Sequence, residues 1–260
     1  MVLRRSGRIG AINEHIFASS AFTNSIFYFR RAPLLSFRMN KVQCKGVLFD
    51  LDGVLVDSTP AVSRVWTIWA NKHGFNPEET VRRAHGRPSI TTIRELLPGA
   101  DHETENSIVE KMEIADLDDV VALPGAAELL QNLSTHQWAV VTSCTRPLAL
   151  ARLRAASLPV PEKIITSNDI VNGKPHPEPY LKGARLLGLA AADCVVFEDA
   201  PAGIRAGKAA GAKVIAFQTT DQDKFLRDAG ADWIVKDCAS VRVSSSNAND
   251  EISLILSAAT

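Results

Sequence analysis

The chain is predicted to fold as an α/β protein, a parallel sheet with helices on both faces, interrupted after its first strand by an all-helical insertion. Three observations carry this. From Pro124 to Val235, short apolar runs alternate with segments of helical periodicity, the pattern of βαβ units joined by right-handed crossovers. Upstream, Gly46-Val47-Leu48-Phe49 is an unbroken apolar run of strand length, as a strand buried on both faces requires. Between the two, residues 60–122 show helical spacing and breakers but no strand pattern.

The first strand ends in Asp50-Leu51-Asp52-Gly53. Charges at the end of a buried strand are costly unless paired, and a hard divalent cation is a natural partner for carboxylates. Gly53 permits a sharp turn after the pair. In the insertion, Trp66, Trp69 and Ala70 share a helical face, as do Ile93, Leu96 and Leu97. Breakers fall at Gly74, Pro77, Gly86-Arg87-Pro88 and Pro98-Gly99, giving several short helices. The two tryptophans read as packing residues. A helix follows from Pro124 through Leu133, then a strand at Trp138–Thr142. Next come a helix (147–156), a strand (163–166), a helix (177–188) and a strand (Cys194–Phe197). The pattern closes with a helix (201–210), a strand (Lys213–Phe217), a helix (222–229) and a strand (Trp233–Val235). After Val243, Ser-Ser-Ser-Asn-Ala-Asn-Asp reads as a polar loop before a short apolar end. The expected units are a core from 39–59 and 123–260, a helical insertion at 60–122, and a leader at 1–38.

The 260 residues are 46% apolar with zero net charge, which suits one large globular domain carrying an insertion. No apolar stretch reaches membrane-spanning length. No basic patch offers a footprint for nucleic acid. Cys44, Cys144, Cys194 and Cys238 are widely spaced, so they read as reduced thiols and not as a disulfide frame or zinc site. The first 38 residues hold six arginines, no lysine and one acid, Glu14, leaving net −5 on the remainder. Such a leader resembles a mitochondrial transit peptide; the alternative is a cytoplasmic protein starting at Met39. A monomer is the default expectation.

Polar groups collect at four strand ends: Asp50 and Asp52; Thr142-Ser143-Cys144-Thr145; the loop Gly173-Lys174-Pro175-His176-Pro177; and Glu198-Asp199. In parallel α/β sheets these ends form one edge, where ligands bind. A phosphate ester on a small metabolite accounts for all four. A carboxylate can attack phosphorus and split one displacement into two. Mg²⁺ and a lysine neutralise charge, while a hydroxyl and backbone N–H groups at a helix start cradle the remaining oxygens.

The set resembles the haloacid dehalogenase-like hydrolase superfamily. Asp50-Leu51-Asp52-Gly53-Val54-Leu55 looks like its first motif, Ser143 its second, Lys174 its third and Glu198-Asp199 its fourth, in order. The resemblance covers roughly 45–240. It implies a Rossmann-like core and Mg²⁺ as cofactor, with Asp50 as nucleophile and Asp52 as general acid then base. It also implies that Ser143 binds phosphate and Lys174 neutralises it. Asp199 would ligate the metal with Asp50 and the Asp52 carbonyl, and Glu198 directly or from behind. Residues 60–122 are similar to the helical cap of the phosphoglucomutase-like branch. The stretches 138–146, 173–183 and 195–204 look like fungal glycerol-phosphate and 2-deoxyglucose-6-phosphate phosphatases. Those usually have Gly where Cys144 stands; only the backbone N–H is expected to be needed there.

Arg87, in His85-Gly86-Arg87-Pro88, is expected to reach over the site and hold substrate by its planar fork. His176 reads as a turn residue, and Asp57, Ser58 and Thr59 as a hinge. The expected activity is Mg²⁺-dependent hydrolysis of a small sugar or polyol phosphate. A sugar-phosphate mutase is the alternative within the fold, but the cap-linker histidine of similar mutases aligns with Val62. Dehalogenation is disfavoured because ester cleavage needs a proton donor, which Asp52 provides. Phosphonate cleavage needs a cap lysine, and nothing marks Lys72 for it. A non-catalytic phosphometabolite-binding protein would not require Asp52.

Overall fold

A computed structural model describes residues 40–246 and 251–257. The leader 1–38 lies outside the described residues. The central layer is a parallel sheet of six strands: β2 (Gly46–Phe49), β5 (Trp138–Val141), β6 (Ile164–Ile165), β7 (Cys194–Glu198), β8 (Lys213–Phe217) and β9 (Trp233–Val235). Their spatial order is β6-β5-β2-β7-β8-β9. β2, β5 and β7 are buried along their whole length, because helices cover both faces. The covering helices are α5 (Ala126–Gln131), α6 (Arg146–Ala155), α7 (Glu178–Leu186), α8 (Pro201–Ala209) and α9 (Asp223–Asp228). Alternate residues of each strand face separate cores, Phe49 and Phe197 into one, Leu48 and Val196 into the other.

Between β3 (Val56–Asp57) and β4 (Val121–Ala122) lie the helices α1 (Thr59–His73), α2 (Pro77–Ala84), α3 (Ser89–Leu96) and α4 (His102–Ala115). Sequence-local chemistry bounds them. Asn76 and Asp101 accept the N–H groups of Glu79 and Thr104 at 2.9 and 3.2 Å, capping α2 and α4. Gly74, at φ 74°, closes α1 in the left-handed conformation. Trp66 and Trp69 are buried with Val65, Ile93 and Val109 in a small core of their own, so they pack as expected.

Two expectations are corrected. No strand was expected within 60–122, yet Val121–Ala122 pairs antiparallel with Val56–Asp57. The two chain crossings lie side by side, and a two-residue ribbon is too short to leave a period. The tail does not run as a loop from Val243. β10 (Val241–Ser246) and β11 (Ile252–Leu256) form a separate antiparallel sheet with β1 (Asn40–Cys44). Its serine-rich strand lacks apolar alternation, and its central strand β11 pairs with a segment at the other end of the described chain.

Candidate active site

Strand register builds the centre. Parallel pairing sets Phe49 opposite Phe197, so Asp50 and Glu198 leave neighbouring strands at the same level. The Asp50 N–H donates to the Phe197 carbonyl at 3.0 Å. Carboxylate oxygens of Asp50, Glu198 and Asp199 all lie within 4.8 Å of one another. Lys174 enters from the loop between β6 and α7, its Nζ 2.9 Å from Asp50 Oδ1 and 2.7 Å from Glu198 Oε1.

Glu198 is wholly buried and fully occupied. Its Oε1 also accepts the Tyr180 hydroxyl at 2.6 Å, and its Oε2 accepts the N–H groups of Asp199 and Ala200 at 3.0 and 3.3 Å. Four donors match the acceptor capacity of one carboxylate. The Lys174 ammonium also lies 5.1 Å from the Tyr180 ring centroid. Two glycines are dictated by the cluster. A Cβ at Gly203 would stand 1.6 Å from Glu198 Oε1, and one at Gly53 would stand 1.9 Å from Asp199 Oδ2.

Burial pushes the Asp50 carboxyl up to about 7, against the pull of Lys174. Asp199 is raised well above the usual carboxylate range, by burial first and then by the charges of Glu198 and Asp50. Burial also opposes the Lys174 ammonium, but Asp50 and Glu198 outweigh it and raise its pKa. One ammonium among three carboxylates leaves negative charge in excess. A buried, all-oxygen donor set with that excess fits a hard divalent cation such as Mg²⁺.

Asp52 stands in another setting. The chain turns at Leu51, whose carbonyl accepts the N–H groups of Leu55 and Val56 at 2.8 and 3.0 Å. The Asp52 carboxylate lies 2.9 Å from the Arg152 guanidinium, and accepts the Ser58 hydroxyl at 2.6 Å and the Cys144 thiol at 3.0 Å. Burial raises its pKa, but Arg152 and these hydrogen bonds outweigh burial and hold it below the usual value. Arg152, on α6, also faces Glu113 of α4 at 3.5 Å.

A cavity of about 110 Å³ lies between the strand ends and helices α1–α4, with Asp50, Asp52, Ser143 and Asp199 on one side and Val62, Arg87, Glu110 and Glu113 on the other. Ser143 therefore sits where expected. The Cys144 N–H, expected to be available to phosphate, is directed to Thr142 Oγ1 at 3.0 Å. Arg87 lines the cavity, but its guanidinium is paired with Glu95. Its loop does approach the centre: a Cβ on Gly86, at φ 67°, would lie 3.2 Å from Ala200 Cβ. Ser58, read as a hinge residue, lines the cavity and touches Asp52. Asp57 Oδ1 accepts the Thr59 N–H at 3.0 Å in the turn that leads into α1. His176 Nδ1 accepts the Glu178 N–H at 3.2 Å, as a turn residue does. Lys72 faces Glu105 at 3.5 Å.

Sequence reasoning missed Arg152, Glu113 and Tyr180. Arg152 had a signal. It shares a helix face with Leu148, Ala149 and Leu153, and an arginine on an apolar face needs a buried partner. Glu113 had no such signal, because its helix face also carries Asn106 and Glu110.

An acidic centre at the carboxyl edge of a doubly wound parallel sheet, enclosed by inserted helices, defines a Rossmann-like α/β protein whose ligand site lies at the strand ends. The haloacid dehalogenase-like hydrolase family model matches residues 47–217, from β2 to the end of β8, and the chain belongs to that family. It is 49% identical over 180 residues to Hexitol phosphatase A of Escherichia coli, covering 67% of this chain and 83% of that protein. It is 39% identical over 227 residues to Glycerol-1-phosphate phosphohydrolase 1 of Saccharomyces cerevisiae, covering 82% and 91%. The crystal structure of a hydrolase from Pseudomonas syringae superposes with a TM-score of 0.65 at 25% identity, covering 75% and 94%. The protein is an enzyme, and release of phosphate from an ester is the reaction class of the named relatives.

Proposed function

We propose that the protein is a Mg²⁺-dependent phosphatase of a small sugar or polyol phosphate and works through an aspartyl-phosphate. The observation that carries this reading is the setting of Asp50: a carboxylate on the cavity surface, 2.9 Å from an ammonium and grouped with two further carboxylates. Asp50, Asp199 and the Asp52 main-chain carbonyl would hold Mg²⁺, which when bound relieves the repulsion between carboxylate and phosphate. Glu198, with four donors of its own, positions Lys174 and the turn that carries Asp199.

In the first half-reaction an Asp50 oxygen forms a bond to phosphorus as the ester P–O bond breaks. The departing oxygen takes a proton from Asp52 and leaves as the alcohol. In the second, Asp52 takes a proton from water, whose oxygen attacks phosphorus; free phosphate departs and Asp50 is regenerated. The Arg152 and Ser58 contacts hold Asp52 in the basic form used in the second half. Donation in the first half requires Asp52 to exchange Arg152 for the leaving oxygen. Ser143 and Lys174 bind the phosphoryl oxygens. The helices of residues 60–122 act as a cap that excludes bulk water, in keeping with the approach of Gly86 to Ala200. Val62 in the cavity lining favours water over a sugar as acceptor. No described helix is long and apolar enough to cross a membrane.

The test is phosphate release from a panel of polyol and sugar phosphates with added Mg²⁺. Turnover that EDTA abolishes and Asp50→Asn removes supports the reading. Undiminished turnover in that variant, or none from any ester, overturns it.

A further inference from the structure

The helical wall of the cavity carries a charge pattern that phosphoryl transfer does not require. Asn106, Glu110 and Glu113 line the cavity from α4 at spacings of four and three residues, so they share one helix face. Asn106 and Glu110 are each anchored by one neighbour and keep hydrogen-bonding capacity beyond it, whereas Glu113 is held by both Arg152 and Trp66. Asn106 Oδ1 accepts the Ser89 hydroxyl at 2.6 Å, Glu110 accepts the Thr145 hydroxyl, and Glu113 faces Arg152 at 3.5 Å. An ionised carboxylate offers about four lone-pair sites.

The cations of the same lining are already committed. The Arg87 guanidinium closes on Glu95, and Arg152, 4% exposed, is shared by Asp52 and Glu113. A hydroxyl entering here meets acceptors. A carboxylate or second phosphate meets the Glu110 carboxylate, a Glu113 carboxyl already paired with Arg152, and no uncommitted guanidinium, and burying it unpaired is costly.

Resting on the phosphatase reading above, we propose that the α4 face selects the leaving group: the substrate is the monophosphate of an uncharged polyol or sugar, and esters with a second anionic group are rejected. Glu110 and Glu113 are the specificity-determining residues. Glu95 contributes by keeping Arg87 from serving a second anion.

The experiment is steady-state kcat/KM on two matched pairs, glycerol 3-phosphate against 3-phosphoglycerate, and glucose 6-phosphate against glucose 1,6-bisphosphate, with p-nitrophenyl phosphate as a generic ester. The wild-type protein is expected to favour the member of each pair with a single anionic group by about tenfold or more. Glu110→Gln and Glu113→Gln preserve shape but remove charge. Each is expected to narrow that ratio several-fold, through a lower KM for the anionic member. Glu95→Gln, at an exposed position, narrows it in the same direction by freeing Arg87. Equal kcat/KM across each pair in the wild type overturns the proposal. So does an unchanged ratio in the variants that fold by circular dichroism; should Glu113→Gln not fold, Glu110→Gln and Glu95→Gln decide. Hydrolysis of p-nitrophenyl phosphate without discrimination defeats only this selection. No release from any ester defeats the phosphatase reading itself.

Discussion

The two sides of the cavity are held by different forces. On the strand side, the positions of Asp50, Glu198 and Asp199 follow from backbone register, Phe49 opposite Phe197, and from glycines that leave the carboxylates room. On the helical side, the helices have their own small core, and the lining side chains are set by individual pairs: Arg152 with Glu113 and Thr145 with Glu110 between α4 and the α6 region, and Arg87 with Glu95 within the insertion. The difference teaches a division of labour. Register fixes the level of the reacting groups, and the close approach at Gly53 and Gly203 leaves little room for substitution. Side-chain pairing sets what the cavity admits and can be altered one residue at a time.

The largest effect should come from the strand side. Asp50→Asn removes the attacking oxygen, and the rate of phosphate release is expected to fall on the order of 10⁴-fold or more. Stopped-flow detection of phosphate is sensitive enough to see it, and a small loss would mean that Asp50 is not the nucleophile. Asp52→Asn should cost about 10²–10⁴-fold on an alkyl phosphate, the span of general acid–base catalysis. On p-nitrophenyl phosphate, whose leaving group departs without a proton, the first half-reaction should be nearly spared and phosphorylated protein should accumulate. An equal loss of that first step on both esters would move the acid role away from Asp52.

Arg152→Met tests how the two sides are tied. It leaves Asp52 and Glu113 without their buried cation, so urea denaturation should show a stability loss of about 3 kcal/mol. A loss near zero would mean that the pair does not link α6 to α4. The smallest effect concerns pH. Asp50 and Asp199 bind protons more tightly in the native state than in the unfolded chain. In EDTA-treated protein, stability therefore falls as pH rises from the usual carboxylate range to about 7, where Asp50 titrates. Added Mg²⁺ should raise the Tm by a few degrees more at pH 8 than at pH 5, because protons compete for the same oxygens. Equal shifts at both pH values would place the metal elsewhere.

This division also decides what the sequence makes legible. The strand Lys213–Phe217 coincides with its apolar run, since a buried parallel strand has little choice of composition, and the edge strand Trp233–Val235 coincides with its own run although only Val235 is buried. Asp50, Lys174, Glu198 and Asp199 come together as their place at the strand ends implies. The sheet of β1, β10 and β11 left no such trace, because Ser245 and Ser246 carry no hydrophobic period and their partner strand is found only by folding. Nor did the sequence disclose that Arg87 spends its fork on Glu95, or that the Cys144 N–H turns to Thr142 while its thiol meets Asp52. The first two depend on rotamer choice between near neighbours, and the third on a pairing across 92 residues. Arg152 is the instructive case: visible as a misfit on an apolar helix face, but its partners, Asp52 and Glu113, lie on segments far away in the sequence.

Rapid acid quench of the enzyme during turnover of a substrate radiolabelled in its phosphate addresses the central claim most directly. The account predicts transient label on the peptide that contains Asp50, released by hydroxylamine as an acyl phosphate and absent from Asp50→Asn. Full turnover with no protein-bound label at any quench time, or label retained in that variant, would contradict it.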